Sequence, residues 1–109
     1  MIWKPNLKKL NKVLEKDIEG PVCQYARDLG WLAHKFTSPA RRSVPDRIFL
    51  GPGGSVFFIE FKAPGKRVTE KQGMEIDKLQ ALGHRVWIAD SIAEGKKIVV
   101  EENRRFNKR

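Results

Sequence analysis

The segment RRSVPDRIFLGPGGSVFFIEFK, residues 41–62, decides the fold because it holds two apolar runs on either side of a turn. The runs cover residues 46–50 and 55–62, and the Gly-Pro-Gly-Gly sequence between them favours a chain reversal. Residues 56–59 are all apolar, which is typical of a strand that is covered on both faces. The segment therefore predicts a β-hairpin whose second strand is central in a sheet.

A helical pattern precedes the hairpin. Between residues 5 and 30 apolar residues recur at helical spacing, and Pro21 interrupts them. Because proline lacks a backbone donor and clashes with the preceding turn, either the helix kinks here or, as we favour, a second helix begins at about residues 17–20. Residues 31–37 then predict a strand.

Two capping-box patterns follow the hairpin and mark the starts of two helices. Thr69 is followed three residues later by Gln72, and Ser91 is followed at the same distance by Glu94. At this spacing the two side chains of each pair satisfy backbone groups of the first helical turn. Residues 84–90 predict a strand between the two helices.

The complete order is helix, strand, hairpin, helix, strand, helix, which predicts an α+β (α/β) fold with a mixed central sheet flanked by helices. A length of 109 residues corresponds to one domain. We expect a single domain over residues 1–109, with its core at about 15–103. The last helix is expected to end near residue 102 and to leave a basic tail at residues 104–109.

The composition limits the class of protein. The chain has 22 Lys and Arg against 13 Asp and Glu, a net charge of +9, which indicates a polyanionic partner. Its single cysteine excludes an intramolecular disulfide and a zinc site built from cysteines. The longest purely apolar run, residues 56–59, is far shorter than the roughly 20 residues of a membrane span. We therefore expect a soluble protein of the reducing cytoplasm.

Three charged residues stand at the ends of the apolar hairpin strands. Asp46 opens the first strand, and Glu60 and Lys62 lie near the end of the second. Side chains alternate along a strand, so Glu60 and Lys62 face the same way and Phe61 faces the opposite layer. Because the strands of a hairpin run antiparallel, Asp46 and Glu60 are expected to meet.

Such a site is typical of metal-assisted phosphodiester hydrolysis. Two adjacent carboxylates repel each other, and a hard divalent cation such as Mg²⁺ relieves that repulsion. The cation would stabilise charge on the phosphoryl oxygens and activate water, while Lys62 could orient or deprotonate the attacking water. The alternative is structural: Asp46 only forms a turn after Pro45, and Glu60 and Lys62 pair with residues across strands.

The motifs of the chain resemble those of a nuclease family. Pro45-Asp46 followed by Glu60-Phe61-Lys62 is similar to the core motif of the PD-(D/E)xK nuclease superfamily. The longer strings, RRSVPDRI at residues 41–48 and FIEFKAPG at residues 58–65, followed by Gln72, resemble the virus-type replication-repair nuclease (VRR-Nuc) domain, small stand-alone type. The resemblance extends from about residue 19 to residue 91.

The resemblance implies a restriction-endonuclease-like αβββαβ core and DNA cleavage that depends on Mg²⁺ or Mn²⁺. In the family pattern Asp46 and Glu60 are metal ligands together with the backbone carbonyl of Phe61, and Lys62 is the catalytic lysine. Two further positions match catalytic residues of the family, Gln72 on the helix after the core strands and a metal-proximal acid on the first helix. Glu19 matches this helix acid, and Glu15 is the second choice for it.

The resemblance also implies a substrate and an assembly. Small stand-alone members of the family are similar to homodimeric DNA-repair endonucleases that resolve Holliday (four-way) junctions, and two-fold symmetry suits a junction with two cuts to make. The alternatives are a flap or nicking endonuclease, and a catalytically inert basic nucleic-acid-binding module.

Basic residues surround the acids in the sequence. They are expected to bind the DNA backbone, and they are Arg41, Arg42, Arg47, Lys66, Arg67 and Lys71.

Overall fold

The computed structural model describes residues 12–40 and 43–107, apart from the side chains of residues 106 and 107. Three helices and four strands alternate in the predicted αβββαβ order with one further helix at the end. They are α1 (Glu15–Asp28), β1 (Leu32–Lys35), β2 (Arg47–Leu50), β3 (Val56–Phe61), α2 (Glu70–Ala81), β4 (Arg85–Ala89) and α3 (Ile92–Asn107). None of the helices in these described ranges is long and apolar enough to span a membrane.

The four strands form one mixed sheet in the order β1-β2-β3-β4. β2 and β3 form the predicted antiparallel hairpin around a short 3-10 turn at Pro52–Gly54. β1 adds antiparallel to β2, and β4 adds parallel to β3. β3 is therefore an interior strand, as its continuous apolar sequence predicted.

Both faces of the sheet are covered by helices. Phe57 and Phe61 of β3 are fully buried in a core that also contains residues of α1 and α3. Phe58 points the other way and packs with Ile76 of α2 and Val86 of β4. This alternation of side chains places α1 and α3 on one face and α2 on the other. The predicted α+β architecture is confirmed.

The predicted start of the second helix, at residues 17–20, is wrong by about two residues, because α1 begins at Glu15. α1 runs without interruption from Glu15 to Asp28 with Pro21 inside it. The carbonyl that Pro21 leaves without a partner belongs to Asp17, which is exposed, so water can satisfy it. Gly20 before the proline has no side chain to clash with the ring, and open space surrounds its Cβ position. The earlier part of the predicted helical region, before residue 12, lies outside the described residues.

The predicted tail is partly wrong as well, because α3 continues to Asn107. Arg104 lies one turn from Glu101, with the charged atoms 3.9 Å apart, and Arg104 and Arg105 both lie in the last turn of the helix. Cations at this end interact favourably with the helix dipole, so the basic sequence extends the helix. Residues 108 and 109 lie outside the described residues.

The contact between α1 and α3 depends on Gly95. A Cβ at this position would overlap the Cγ2 atom of Val22, which is fully buried on α1. We expect Gly95→Ala to lower the free energy of unfolding by roughly 1–3 kcal/mol through overpacking. Urea denaturation would measure this loss. Val22→Ala in the same chain should recover part of it, and a strictly additive double variant would contradict the proposed overlap.

A buried acid also joins α3 to β4. The side chain of Glu102 is 0% exposed, and it accepts hydrogen bonds from Arg85 Nε at 2.7 and 2.9 Å and from Trp87 Nε1 at 2.7 Å. We expect Glu102→Ala to cost about 3 kcal/mol, because it leaves the guanidinium and the indole N–H without their acceptor. Thermal unfolding should show the loss. Glu102→Gln keeps an acceptor and should lose less, whereas equal losses would argue against the hydrogen bonds as the cause.

Candidate active site

The two strand-end acids meet, as the hairpin predicted. Arg47 pairs with Ile59 in the register of β2 and β3, so Asp46 and Glu60 stand one position further along the same ladder. The backbone carbonyl of Asp46 accepts a hydrogen bond from Phe36 N at 2.9 Å. Its carboxylate oxygen Oδ2 accepts another from Phe61 N, also at 2.9 Å. Asp46 is thus fixed through both its backbone and its side chain.

Glu60 is buried without full pairing. It is 1% exposed, and its Oε1 atom has no hydrogen-bond partner. Burial raises the pKa of Glu60 from 4.5 to about 8, and the neighbouring Asp46 contributes through a hydrogen bond and its charge. Lys62 acts in the opposite direction by favouring the charged form. A buried carboxyl with an unpaired oxygen is costly, so this oxygen is a candidate ligand atom.

Lys62 and Phe61 have the opposite orientations that strand alternation predicted. The side chain of Phe61 is fully buried in the core beneath α1 and α3. Lys62 is half-buried, and its backbone N–H donates to the carbonyl of Ala89 at 2.9 Å. This bond anchors the backbone just beyond β3, so the lysine joins the acids from a fixed position.

The two candidate acids on α1 have different neighbours in the structure. Glu19, the first choice, forms an ion pair with Arg47. Glu15, the second choice, lies against Asp46. The pKa of Glu15 is raised, mainly by partial desolvation and also by the negative charge of Asp46. The spacing of four residues puts both acids on one side of α1, so the sequence alone could not choose between them.

Gln72 caps the start of α2 in this structure. Its Oε1 atom accepts a hydrogen bond from Thr69 N at 2.9 Å, and Thr69 Oγ1 accepts one from Gln72 N at 3.1 Å. This is the predicted capping box at the start of α2. A catalytic role for Gln72 stays a prediction.

The basic residues expected to bind DNA differ in their exposure and in their ion pairing. Lys66, Arg67 and Lys71 are exposed and available to a ligand. Arg47 has a side chain only 16% exposed and is neutralised by Glu19, so its charge serves to hold α1 against β2. Arg41 and Arg42 lie outside the described residues.

The acids suit a hard divalent cation. Two carboxylates are adjacent, and the free Oε1 atom of buried Glu60 supplies a ligand atom that no protein group uses. Across residues 12–40 and 43–107, no three His, Cys, Asp or Glu side chains converge as a preformed metal cluster. The donor set is therefore a pair, Asp46 and Glu60, with Glu15 next to it.

Comparisons with known proteins bear on the identity of this fold and site. No protein-family model matches the chain. The protein called "Putative nuclease p44", from Acyrthosiphon pisum secondary endosymbiont phage 1, is 44% identical over 79 residues, which are 72% of this chain and 85% of the phage protein. A solved structure described as "VRR_NUC domain" has a TM-score of 0.73 at 22% identity, and the match covers 78% of this chain and 92% of that chain. The resemblance seen in the motifs is supported: the chain has the fold of a VRR-Nuc domain, and it belongs to the same protein family as the phage putative nuclease.

Proposed function

We propose that this chain is an endonuclease that hydrolyses DNA phosphodiester bonds with Mg²⁺ or Mn²⁺ and selects branched DNA, acting as a homodimer on four-way junctions. The single observation that carries the proposal is the buried carboxyl of Glu60. Its Oε1 atom has no partner although Asp46 and Lys62 are its neighbours. An apolar strand would be more stable without this buried, unpaired carboxyl, so a ligand of this oxygen would explain the acid.

The residues divide the chemical work. Asp46 and Glu60 would hold the cation, with the backbone carbonyl of Phe61 as a proposed third ligand and Glu15 beside them. When bound, the cation stabilises negative charge on the phosphoryl oxygens and lowers the pKa of water. Lys62 orients the attacking water or takes its proton. The water oxygen forms a bond to phosphorus, the bond to the leaving oxygen breaks, and that oxygen receives a proton.

The substrate and assembly proposals rest on the family and on symmetry. Each chain offers one pair of acids, whereas resolution of a four-way junction needs two cuts. A two-fold dimer would present two such pairs in a symmetric arrangement. The excess positive charge of +9 supports binding to the phosphate backbone.

Cleavage of a set of labelled substrates tests the proposal. The parent chain is incubated with a four-way junction, a flap, a nicked duplex and a linear duplex, each in Mg²⁺, Mn²⁺ or EDTA. We expect paired symmetric nicks in the junction, only in the presence of metal. Sedimentation at several protein concentrations would show the dimer.

The other outcomes separate the alternatives. A single cut at the base of a flap would replace the junction proposal with a flap endonuclease. Binding of the junction without cutting in either metal would indicate an inert binding module. A monomer that makes paired cuts would contradict the dimer.

A further inference from the structure

A cleft of about 660 Å³ opens beside the candidate active site, between the start of α1 and the loop that follows β3. Its volume lies within the roughly 300–1,000 Å³ that is common for small-ligand sites. Three lysines line it, Lys12, Lys16 and Lys66, together with apolar side chains that include Val13, Leu14 and Pro64. The cleft thus combines cations with an apolar surface.

Within the described part of the chain, the apolar residues of this cleft are exposed. Val13 is 42% exposed and Leu14 is 38% exposed. Exposed apolar side chains between cations fit a ligand that is flat and apolar in one part and anionic in another. A nucleotide has this combination, because its base is apolar on both faces and its phosphate is anionic.

Hydrogen bonds fix both walls of the cleft. On one wall, Leu14 N donates to Asp17 Oδ2 at 2.9 Å, which holds the chain at the entry to α1. On the other wall, Lys66 N donates to the carbonyl of Ala63 at 3.0 Å, and Gly65 N donates to Asp90 Oδ2 at 3.3 Å. A ligand would therefore meet a largely formed site.

Glu15 connects the cleft to the acids. It lines the cleft, and its carboxyl interacts with Asp46. A DNA strand whose scissile phosphate lies at Asp46 and Glu60 would place a neighbouring nucleotide at the mouth of this cleft.

We propose that this cleft holds one unpaired nucleotide of the DNA substrate, next to the scissile phosphate, with its base against Leu14, Val13 and Pro64 and its phosphate near Lys12, Lys16 and Lys66. The proposal rests on the nuclease function proposed above and specifies how branched DNA is selected. A base in the cleft cannot remain stacked and paired in a duplex. Substrates in which that nucleotide is already unpaired, as at a branch point, therefore bind at lower cost than continuous duplex.

Fluorescence of 2-aminopurine tests the site directly. The full chain carrying Glu60→Gln, which keeps the substrate intact, is mixed with branched DNA that has 2-aminopurine on either side of the mapped cut. The fluorescence of this base rises when it leaves the stack for an aliphatic surface. We expect a several-fold rise at one of the two positions, and none in a fully paired duplex.

Matched variants show whether the cleft causes the rise. Leu14→Ala should abolish it, whereas Leu29→Ala, at the other end of α1 and 39% exposed, should not. Lys12→Ala together with Lys16→Ala should weaken DNA binding about tenfold. It should also reduce by about 2 the slope of the logarithm of the binding constant against the logarithm of the salt concentration. Lys97→Ala on α3 is the control for charge.

The outcomes distinguish this proposal from the function on which it rests. If the parent cuts branched DNA but Leu14→Ala leaves the fluorescence rise unchanged, the cleft proposal is wrong and the nuclease function stands. If the parent cuts no substrate in either metal, the proposed function itself fails. A rise that appears only after deletion of residues 1–11 would mean that the chain's own N-terminal segment occupies the cleft, and would overturn the proposal.

Discussion

Glu60→Gln is expected to lower the rate of DNA cleavage by roughly a thousandfold. Glutamine has nearly the same shape as glutamate, but it is neutral and offers only one carboxylate-like oxygen to a cation. Asp46 would then be the only charged ligand on the strands, and the phosphoryl charge would lose its stabilisation. Because Glu60 is 1% exposed and the replacement is isosteric, the surrounding core should keep its packing.

The rate is measured on the four-way junction in saturating Mg²⁺, with single-turnover kinetics so that chemistry is separated from product release. Glu101→Gln is the matched control, because Glu101 is an exposed acid on α3 that forms an ion pair with Arg104 at 3.9 Å. The control should cut at the parent rate. Equal cutting by Glu60→Gln and the parent would remove Glu60 from the site.

Glu60→Gln should raise the free energy of unfolding even though it lowers the cleavage rate. The size of this gain in stability should depend on pH. The pKa of Glu60 is about 8 in the folded protein and near 4.5 when the carboxyl is solvated. Between these values the folded state holds a proton that the unfolded state has released, so the free energy of unfolding falls as pH rises. The full loss, reached above pH 8, has an upper bound of about 5 kcal/mol, since one pKa unit is about 1.4 kcal/mol.

Thermal unfolding in EDTA at pH 5 and pH 8.5 measures this dependence. The parent should be less stable at pH 8.5, and Glu60→Gln should remove most of the difference between the two pH values. Glu101→Gln should retain the parent's pH dependence. If the parent and Glu60→Gln lose stability in parallel, the buried carboxyl is not the group that titrates.

The sequence was sufficient where local patterns act alone. The apolar run at residues 56–59 predicted a central strand, and the pairing of Asp46 with Glu60 followed from the antiparallel hairpin. The capping box of Thr69 and Gln72 depends on residues three apart, so it too could be predicted.

The sequence was insufficient where tertiary contacts decide. Pro21 is a local signal for a kink or for a helix start just before it, but α1 begins at Glu15 and continues through the proline, packed against the sheet. The choice between Glu15 and Glu19 depends on which of them Arg47 binds, and that depends on how α1 lies on β2. No pattern in the sequence predicts that Glu102 is buried. Its partners Arg85 and Trp87 come close to it only in the folded structure.

One consequence of the α1 packing concerns how core substitutions can alter catalysis. The same two turns of α1 carry Glu15 at the acids and Val22 in the core, and Val22 lies directly under Gly95 of α3. Because a packed helix tends to move as a unit, we expect a side chain added at Gly95 to push on Val22 and shift Glu15 relative to Asp46. We therefore expect substitutions on this side of the sheet to alter the proposed catalytic acids from a distance, and substitutions beneath α2 to affect them less. Screening for altered metal preference could start in the hydrophobic interior between α1 and α3, without changing any charged residue.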